Sequence, residues 1–397
     1  MGTVLIIGTG AAGSVTAQKC CMLPKTFSKV ILANRTISKA EKLKKTIAQS
    51  ISNYPPLEAA QVDADNPRLV SQLIRKFQPE MVINMALPYQ DLSIMEACIE
   101  TGVNYVDTAN YESPEDPNFS YRRQWEMHDR FKIKGKMALL GSGFDPGVTN
   151  IYIAHAKKNY FDEIDEVDIV DANGGDHGQH FATNFNPEIN IREVTADGRY
   201  YEDGIWKSIP ALSVHKPFDF PAVGVKEMYL MYHEELESLT RNLPEIKTLR
   251  FWMTFSEKYL TYLRVLENIG MTKIEPVEFE GNKIVPLKFL KALLPEPSSL
   301  GISTKGKVCI GCLIKGKKDD KEKTLFVYCV KDHEDCYREV GSQAIAYTTG
   351  VPAMIGAKLV MENTWFEKGV YNVEQLDPTP FMNDLNKYGL PWTEKFI

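Results

Sequence analysis

The sequence predicts an α/β fold, and three observations support this. Strand-like apolar runs alternate with helix-period segments from residue 3 to about residue 145, which is the pattern of successive βα units. The strand-like runs are nearly continuous in hydrophobicity, as in a parallel sheet covered on both faces. The first run, residues 3–7, leads into the glycine-rich segment GTGAAG at residues 8–13. We therefore expect an N-terminal Rossmann domain with a doubly wound parallel sheet.

The N-terminal elements follow in order from the apolar pattern. In the segment 38–51, the residues Ala40, Leu43 and Ile47 fall on one helical face. Pro67 stands where a helix would begin and Gly102 where one would end. The expected strands are residues 3–7, 30–33, 57–62, 81–85, 104–107 and 137–141.

After Pro146 the pattern changes to that of an α+β domain. Residues 225–238 and 256–269 are predicted helices, and a helical pattern interrupted at 350–352 covers 339–362. We expect an inserted substrate and dimerisation domain at 147–338, between a Rossmann domain at 1–146 and C-terminal helices at 339–397 that pack back on it. Predicted strands of the second domain are residues 166–171, 189–195, 305–314 and 324–330.

Composition limits the class of partner. The chain has 397 residues, a net charge of −6 and a pI near 5.8, and no basic stripe that would bind nucleic acid. Its uninterrupted apolar runs are shorter than a membrane span, and no export signal or lipid-anchor motif opens it. We expect a cytoplasmic protein with small-molecule substrates. A broad sheet in the second domain favours a homodimer.

The cysteines raise the alternative of a metal or redox site. Cys309 and Cys312 are three residues apart, and Cys329 and Cys336 follow. The simpler interpretation is a β-hairpin formed by residues 308–314 and 325–330, with its tip in the charged run 315–321. Residues three apart on a strand point to opposite faces, which suits shared metal ligation badly. We therefore expect no metal.

The glycine-rich segment predicts the cofactor site. Gly8 permits a tight turn, Gly10 lets the backbone approach a pyrophosphate, and Gly13 lets the helix pack on the strand. The pyrophosphate would lie at the helix N-terminus, where free N–H groups favour negative charge. The expected contacts in this segment are Gly8, Thr9, Gly10, Ala11, Ala12 and Gly13.

The end of the second strand predicts NADP(H) over NAD. An NAD enzyme usually has a carboxylate here for the ribose 2′-hydroxyl, whereas this chain has Asn34-Arg35-Thr36. Arg35 can pair with a 2′-phosphate and stack on the adenine; the alternative is a surface arginine. Further cofactor contacts are expected from Asn34, Thr36, Ser38, Asp63, Ala86, Pro88 and Ser142.

Three clusters beyond the fingerprint carry a family resemblance. They are YVDTANY at 105–111, GSGFDPGVTN at 141–150, and DANGGDHG at 171–178 followed by TNFNPEINIRE at 183–193. With the NADP-type start, these segments resemble the saccharopine dehydrogenase (saccharopine reductase-like) family over essentially the whole chain. The third cluster and the tail at 372–378 point to its polyamine-forming branch.

The resemblance implies a reaction. It is the NADPH-dependent reductive condensation of L-aspartate β-semialdehyde with putrescine or 1,3-diaminopropane, giving carboxyspermidine or carboxynorspermidine by hydride transfer to an iminium. The alternatives are saccharopine reductase, another opine-type condensing dehydrogenase, or a non-catalytic NADP-sensing regulator.

This chemistry selects the candidate site residues. Carboxylates would hold a dication and stabilise an iminium, a bidentate arginine would hold an amino-acid carboxylate, and a histidine would move protons. The simpler alternatives are that Asp145 caps a helix, that His177 is an exposed bystander, and that Arg192 and Glu193 lie on a strand edge. The predicted catalytic residues are Asp107, Asp176 and His177. The predicted substrate-binding residues are Asp145, Asp171, Asn184, Glu188, Arg192 and Glu193.

Overall fold

The computed structural model describes residues 2–113 and 116–397. Its first part alternates strands and helices as the sequence predicts. In chain order the elements are β1 (Gly2–Ile7), α1 (Ala11–Cys21), β2 (Phe27–Asn34), α2 (Ile37–Ser50), β3 (Leu57–Gln61), α3 (Pro67–Phe77), β4 (Met81–Asn84), α4 (Asp91–Thr101), β5 (Asn104–Val106), β6 (Glu112–Ser113), β7 (Asp116–Phe119), α5 (Arg122–Trp125), α6 (His128–Ile133) and β8 (Met137–Leu140). A 3₁₀ turn, Pro88–Gln90, precedes α4.

The middle of the chain mixes long strands with short helices. In order these are α7 (Val148–Asn159), β9 (Glu163–Asn173), α8 (Pro187–Thr195), β10 (Gly198–Glu202), β11 (Ile205–Ile209), β12 (His215–Phe220), β13 (Gly224–Met231), α9 (Glu235–Asn242), β14 (Thr248–Thr254), α10 (Glu257–Asn268), β15 (Val277–Phe279), β16 (Asn282–Ile284), α11 (Pro286–Leu293), β17 (Lys307–Lys318), β18 (Lys321–Asp332) and α12 (His333–Val340). The chain continues with α13 (Ala344–Met361), β19 (Gly369–Asn372), α14 (Pro378–Tyr388) and β20 (Trp392–Phe396).

A seven-stranded parallel sheet organises the N-terminal part, in the order β19-β8-β5-β4-β1-β2-β3. Alternate residues of β1 enter two different cores, because Val4 and Ile6 pack on one face and Leu5 and Ile7 on the other. Both faces are therefore covered, and the predicted α/β class with a parallel sheet is confirmed.

A nine-stranded mixed sheet organises the second part, in the order β11-β10-β14-β9-β17-β18-β20, with β12 and β13 attached to β14. The predicted hairpin exists as β17 and β18. Cys309 and Cys312 belong to cores on opposite faces of this sheet, as their spacing on a strand requires.

Two predictions of secondary structure in this part are wrong. Residues 189–195 form the helix α8, because Asn186 caps it by accepting hydrogen bonds from the N–H groups of Glu188 and Ile189 at 3.0 and 3.4 Å, and Pro187 occupies its first turn. Residues 225–231 form β13, which pairs with both β12 and β14, and helix α9 begins only at Glu235.

The C-terminal part contains strands that the sequence analysis missed. β19 adds to the edge of the parallel sheet beside β8, and β20 pairs with β18 in the mixed sheet. α13 packs on α1 and runs through Pro352, where an interruption was expected. A Cβ on Gly350 would lie 2.7 Å from the Ala12 carbonyl oxygen, so the two helices approach closely.

Among the described residues, α13 is also the one helix long and apolar enough to cross a membrane. The sequence analysis considered only uninterrupted apolar runs and did not predict it. In the structure 78% of this span is buried inside the protein, as in the core helix of a folded domain.

Candidate active site

The turn between β1 and α1 has the shape of a dinucleotide cradle. Gly8 has a φ of +103°, and a Cβ there would lie 2.3 Å from the Met85 carbonyl oxygen. A Cβ on Gly13 would lie 2.1 Å from the Gly8 carbonyl oxygen, whereas one on Gly10 would meet no atom within 4 Å. Gly8 and Gly13 are thus fixed by packing, and the space over Gly10, at the start of α1, is open to a phosphate group. This cradle fits the predicted cofactor.

The end of β2 presents the predicted 2′-phosphate contact. The Arg35 side chain is 72% exposed, and its guanidinium lies 3.7 Å from the carboxylate of Asp65. Asn34 braces the loop, because it donates to the Thr9 hydroxyl at 2.8 Å and accepts from the Thr36 N–H at 2.9 Å. The predicted contacts Thr36, Ser38 and Asp63 are all exposed in this region. Asp65, which faces Arg35, was missed by the sequence analysis.

The far end of the cofactor cleft follows β4 and β8. The Ala86 N–H donates to the Asn84 side chain at 3.0 Å, and Pro88 starts the 3₁₀ turn. Ser142 requires a correction, because it is fully buried and its hydroxyl donates to the Pro352 carbonyl oxygen at 2.9 Å. The structure assigns its side chain to packing against α13 instead of to the cofactor.

Asp107 lies at the end of β5, with 2% of its surface exposed. Its two carboxylate oxygens accept from the Gly141 N–H at 2.7 Å and the Gln124 amide at 2.8 Å. Burial raises the pKa of Asp107 to about 7, although the hydrogen bonds from these two donors and from Tyr105 act to lower it. The carboxylate thus joins the carboxyl ends of β5 and β8. This geometry assigns it a positioning role in the unliganded protein, and direct contact with substrate stays a prediction.

A cleft of about 420 Å³ lies between the loop after β9, the start of α10 and the start of α13. Gln343, just before α13, donates to the Asn184 carbonyl oxygen at 2.7 Å and so holds this loop near the cofactor side. Four of the residues predicted for the site line this cleft. They are Asp171, Asp176, His177 and Asn184, with Asn190 and Tyr259 opposite.

The two predicted catalytic residues of the loop differ in exposure. Asp176 is exposed and accepts from the Gly178 N–H at 2.8 Å. His177 is partly buried, which lowers its pKa. Its Nδ1 accepts from the Gln179 N–H at 3.1 Å, so in this arrangement Nε2 carries the ring proton. The outer nitrogen of His177 can therefore donate a hydrogen bond but cannot accept one.

Behind the cleft lies a buried group of charged side chains, here called the His233 cluster: Asp145, Asp171, Glu193, His233 and Glu235. The loop after β8, strand β9, helix α8 and the β13–α9 junction each contribute to it. His233 contacts Glu235 through Nδ1 and lies 3.4 Å from Glu193 through Nε2. Asp145 shares a hydrogen bond with Asp171. The predicted residues Asp145, Asp171 and Glu193 are thus brought together.

The cluster holds more negative than positive charge. Burial would lower the pKa of His233, but Glu235, Glu193 and Asp145 raise it well above its usual value, so its ring is cationic. Burial raises the pKa of Asp171 to about 7 and that of Glu193 above its usual range. Burial and the neighbouring Asp171 raise the pKa of Asp145 well above its usual value, so Asp145 is the proton donor in its hydrogen bond with Asp171.

Two of the predicted substrate contacts are already engaged by other side chains. Arg192 lies on α8 and pairs with Glu112 at 2.5 Å, with both side chains nearly fully buried. It also donates to the Ser113 carbonyl oxygen at 2.8 Å and stacks on Tyr89. Arg192 is thus paired within the protein in this structure, and its contact with the substrate carboxylate stays a prediction.

The Glu188 carboxylate also contacts other side chains of the protein. Its carboxylate lies 3.0 Å from Lys291 and accepts from the Tyr89 hydroxyl at 3.4 Å. It therefore ties α8 to α11 and to the 3₁₀ turn after β4, and its contact with substrate stays a prediction.

His233 and Glu235 were not found by sequence reasoning. They belong to the run YHEE at 232–235, inside the segment 225–238 that the apolar pattern predicts as one helix. A histidine flanked by two acids just after a strand was the available signal. Among the described residues, no group of three or more His, Cys, Asp or Glu side chains has the geometry to hold a metal ion.

Comparison with known proteins gives two family matches and several close relatives. Residues 4–139 match the saccharopine dehydrogenase NADP-binding domain, and residues 143–390 match the saccharopine dehydrogenase C-terminal domain. The chain is 53% identical to carboxyaminopropylagmatine dehydrogenase from Synechocystis, over 99% of this chain and 98% of that protein. It is 41% identical to carboxynorspermidine synthase from Vibrio cholerae, over 98% and 96% of the two chains.

The fold has a match among solved structures. Apo saccharopine dehydrogenase (L-Glu forming) from Saccharomyces cerevisiae superposes with a TM-score of 0.74 and 16% sequence identity, covering 100% of both chains. At this identity the match supports the fold alone.

Proposed function

The chain belongs to the saccharopine dehydrogenase family, and we propose on that premise that it condenses an amine with an aldehyde and reduces the product with NADPH. The names of the relatives describe cationic amines that carry a carboxylated aminopropyl group. The matching aldehyde is L-aspartate β-semialdehyde, as the sequence analysis expects. The reaction is thus a step of polyamine biosynthesis catalysed by an NADP-dependent oxidoreductase.

The proposed reaction balances in three steps. The ammonium group of the amine first gives up a proton and adds to the aldehyde carbon as the neutral amine, which forms a carbinolamine. The carbinolamine takes up one proton and loses water to give an iminium. Bound NADPH supplies the hydride that reduces the iminium carbon, so that one secondary amine and one NADP⁺ form. His177, with its proton on Nε2, can donate a hydrogen bond to the departing hydroxyl group.

The observation that carries the proposal is the position of a carboxylate-rich wall beside a dinucleotide cradle. Asp171 and Asp176 line the cleft, and the loop that bears Asp176 is tied by Gln343 to the start of α13. α13 in turn packs on α1, which begins at the glycine turn. Negative charge at this place favours a cationic amine and stabilises an iminium as it forms.

We propose agmatine as the preferred acceptor amine. The support is the higher identity to carboxyaminopropylagmatine dehydrogenase, 53% against 41% for carboxynorspermidine synthase. Agmatine was not among the amines that the sequence analysis considered. Putrescine and 1,3-diaminopropane are the second choice, and the three differ in their far cationic group and chain length.

The test follows NADPH consumption with purified protein. We expect oxidation only when aspartate semialdehyde and an amine are both present, with kcat/KM highest for agmatine. Oxidation with the aldehyde alone would identify a simple aldehyde reductase. Oxidation only with glutamate and an aminoadipate semialdehyde would identify a saccharopine reductase, and tight NADPH binding with no oxidation by any pair would identify a sensor.

A further inference from the structure

The His233 cluster extends from the cleft wall into the protein. Asp171 lines the cleft, and Glu193 and Glu235 lie on either side of His233 behind it. Burial raises the pKa values of Asp145, Asp171 and Glu193, and the cationic ring of His233 is the positive charge that opposes this rise in all three. Even with Asp145 protonated, one imidazolium faces the carboxylates of Asp171, Glu193 and Glu235.

Several oxygen atoms of the cluster have no hydrogen-bond donor. They are Oδ1 of Asp171, Oε1 of Glu193 and Oε1 of Glu235. The exposed fraction of Asp171 is 8% and that of Glu235 is 0%, so bulk water cannot readily donate hydrogen bonds to these atoms. A buried acceptor without a donor is costly and calls for an explanation. Of these three side chains, Asp171 borders the cleft, so a cationic ligand held there would bring N–H donors and positive charge to the cluster at this residue.

We propose that the cleft wall at Asp171, backed by the rest of the His233 cluster, is the subsite for the non-reacting cation of the acceptor amine, a guanidinium or an ammonium group. The inference rests on the proposed function for the identity of the amine. The reacting nitrogen must lose its proton before it attacks the aldehyde, whereas the far group keeps its charge throughout. A site rich in carboxyl groups therefore matches the far group, because that group keeps its positive charge.

A guanidinium group suits the cluster better than an ammonium group. Its planar N–H groups can bind a carboxylate in pairs, and Asp171 in the cleft wall is a carboxylate with an oxygen that has no donor. The subsite therefore selects amines by the cation at their far end and gives agmatine an advantage over putrescine.

Wild-type protein provides the first test, with three amines that share a four-carbon chain. Agmatine ends in a guanidinium, putrescine in an ammonium, and butylamine in a methyl group. At fixed NADPH and aldehyde, we expect butylamine to have a kcat/KM at least about 100-fold below that of agmatine, since it lacks the charge-assisted contacts. Equal use of butylamine and agmatine would overturn the subsite while leaving the condensing activity in place.

Two substitutions provide the second test. Asp171→Asn and Glu193→Gln each remove one carboxyl group from a cluster whose carboxyl groups outnumber its one cation. We therefore expect both variants to fold. The KM for agmatine should rise roughly 10- to 100-fold, and kcat/KM should fall much further for agmatine than for butylamine. Glu257→Gln, an exposed acid on α10 beside the cleft, is the matched control and should change neither. Equal losses for both amines would show that these carboxylates serve the reacting centre or the fold, and would overturn the proposal.

Binding separates a failed subsite from a failed function. In calorimetry with NADP⁺-loaded protein, agmatine should bind and butylamine should not. Binding of agmatine with no turnover of any amine would refute the proposed function and leave the subsite standing. Turnover of agmatine with unchanged binding in the Asp171→Asn variant would refute the subsite.

Discussion

At the scale of single residues, the partner of a charged side chain decides what that side chain does. The sequence predicts that Arg35 and Arg192 each bind an anionic group of a ligand with two N–H groups of the guanidinium. Arg192 is nearly fully buried against Glu112, whereas Arg35 is 72% exposed with an acid no closer than 3.7 Å. Of these two arginines, Arg35 is the one whose exposed guanidinium can bind a phosphate group. The residue type was predictable, but the competing partner was not, because Glu112 is 80 positions away in the sequence.

Arg35→Asp should therefore reverse the cofactor preference. The change removes a charge-assisted pair with the 2′-phosphate and places a carboxylate beside it, which should cost about 2 kcal/mol or more of NADPH binding. We expect the KM for NADPH to rise at least about 30-fold, with the KM for NADH unchanged or lower. Steady-state kinetics with both cofactors measure this, and Lys42→Asp, an exposed cation on α2, is the control. An unaltered NADPH preference in Arg35→Asp would place the 2′-phosphate elsewhere.

At the scale of elements, the turn between β1 and α1 contains one glycine that is required for packing, Gly13, and one that leaves room for the cofactor, Gly10. A Cβ on Gly13 would collide with the Gly8 carbonyl oxygen at 2.1 Å, while one on Gly10 meets open space. Both roles were predictable from the fingerprint, because the turn is local and its geometry depends on few distant residues.

Gly13→Ala and Gly10→Ala should thus fail in different ways. We expect Gly13→Ala to lower the melting temperature by several degrees, since the backbone must shift to remove the clash. Gly10→Ala should melt as the wild type does in the absence of ligand and lose at least about tenfold in NADPH affinity, because its methyl group occupies the space next to the pyrophosphate. Thermal melts and fluorescence titration with NADPH distinguish the two. Wild-type affinity in Gly10→Ala would show that the pyrophosphate does not approach this residue.

The elements around the His233 cluster were predicted less well. The β-branched residues Ile189, Ile191 and Val194 favour a strand, but the capping pair Asn186 and Pro187 starts helix α8. The apolar spacing of the segment 225–231 permits a helix, but pairing with β12 and β14 overrides that preference. Long-range strand pairing is absent from any local pattern, so His233 and Glu235 could not be placed next to Asp171.

The pH dependence of amine binding tests the cluster. The pKa of Asp171 is raised to about 7 by burial, with His233, Asp145, Glu193 and Glu235 facing it. Below that pH the carboxyl is mostly protonated and cannot attract a cation. Agmatine, cationic throughout this range, should therefore bind NADP⁺-loaded protein more tightly as the pH rises from about 6 to about 8.

Stability should change in the opposite direction in the absence of amine. A carboxyl whose pKa is raised by folding stabilises the fold below its unfolded value near 3.8, and that contribution is lost as the pH rises through about 7. The melting temperature of the unliganded protein should therefore fall as the pH rises from the unfolded pKa near 3.8 to about 7. The fall should be smaller in the Asp171→Asn variant. Agmatine affinity that is constant across these pH values, or that varies equally in the wild type and Asp171→Asn, would contradict this account of Asp171.

At the scale of the whole molecule, the chain passes through both sheets twice. β19 extends the parallel sheet beside β8, and β20 extends the mixed sheet beside β18, so the C-terminal residues join the two parts. The α/β class and the order of the first elements could be predicted, because each βα unit is local. The return of the C-terminal strands could not, since β19 has only four residues and its partner β8 lies more than 200 positions earlier.

The most direct test of the central claim is the fate of the hydride. Protein incubated with aspartate semialdehyde, agmatine and NADPH deuterated at the transferred position of C4 should give one condensed amine. Mass spectrometry should show a single deuterium on the carbon that was the aldehyde, now bonded to nitrogen. Deuterium found only in the alcohol of the reduced aldehyde, or a condensed product without deuterium, would contradict reductive condensation by this protein.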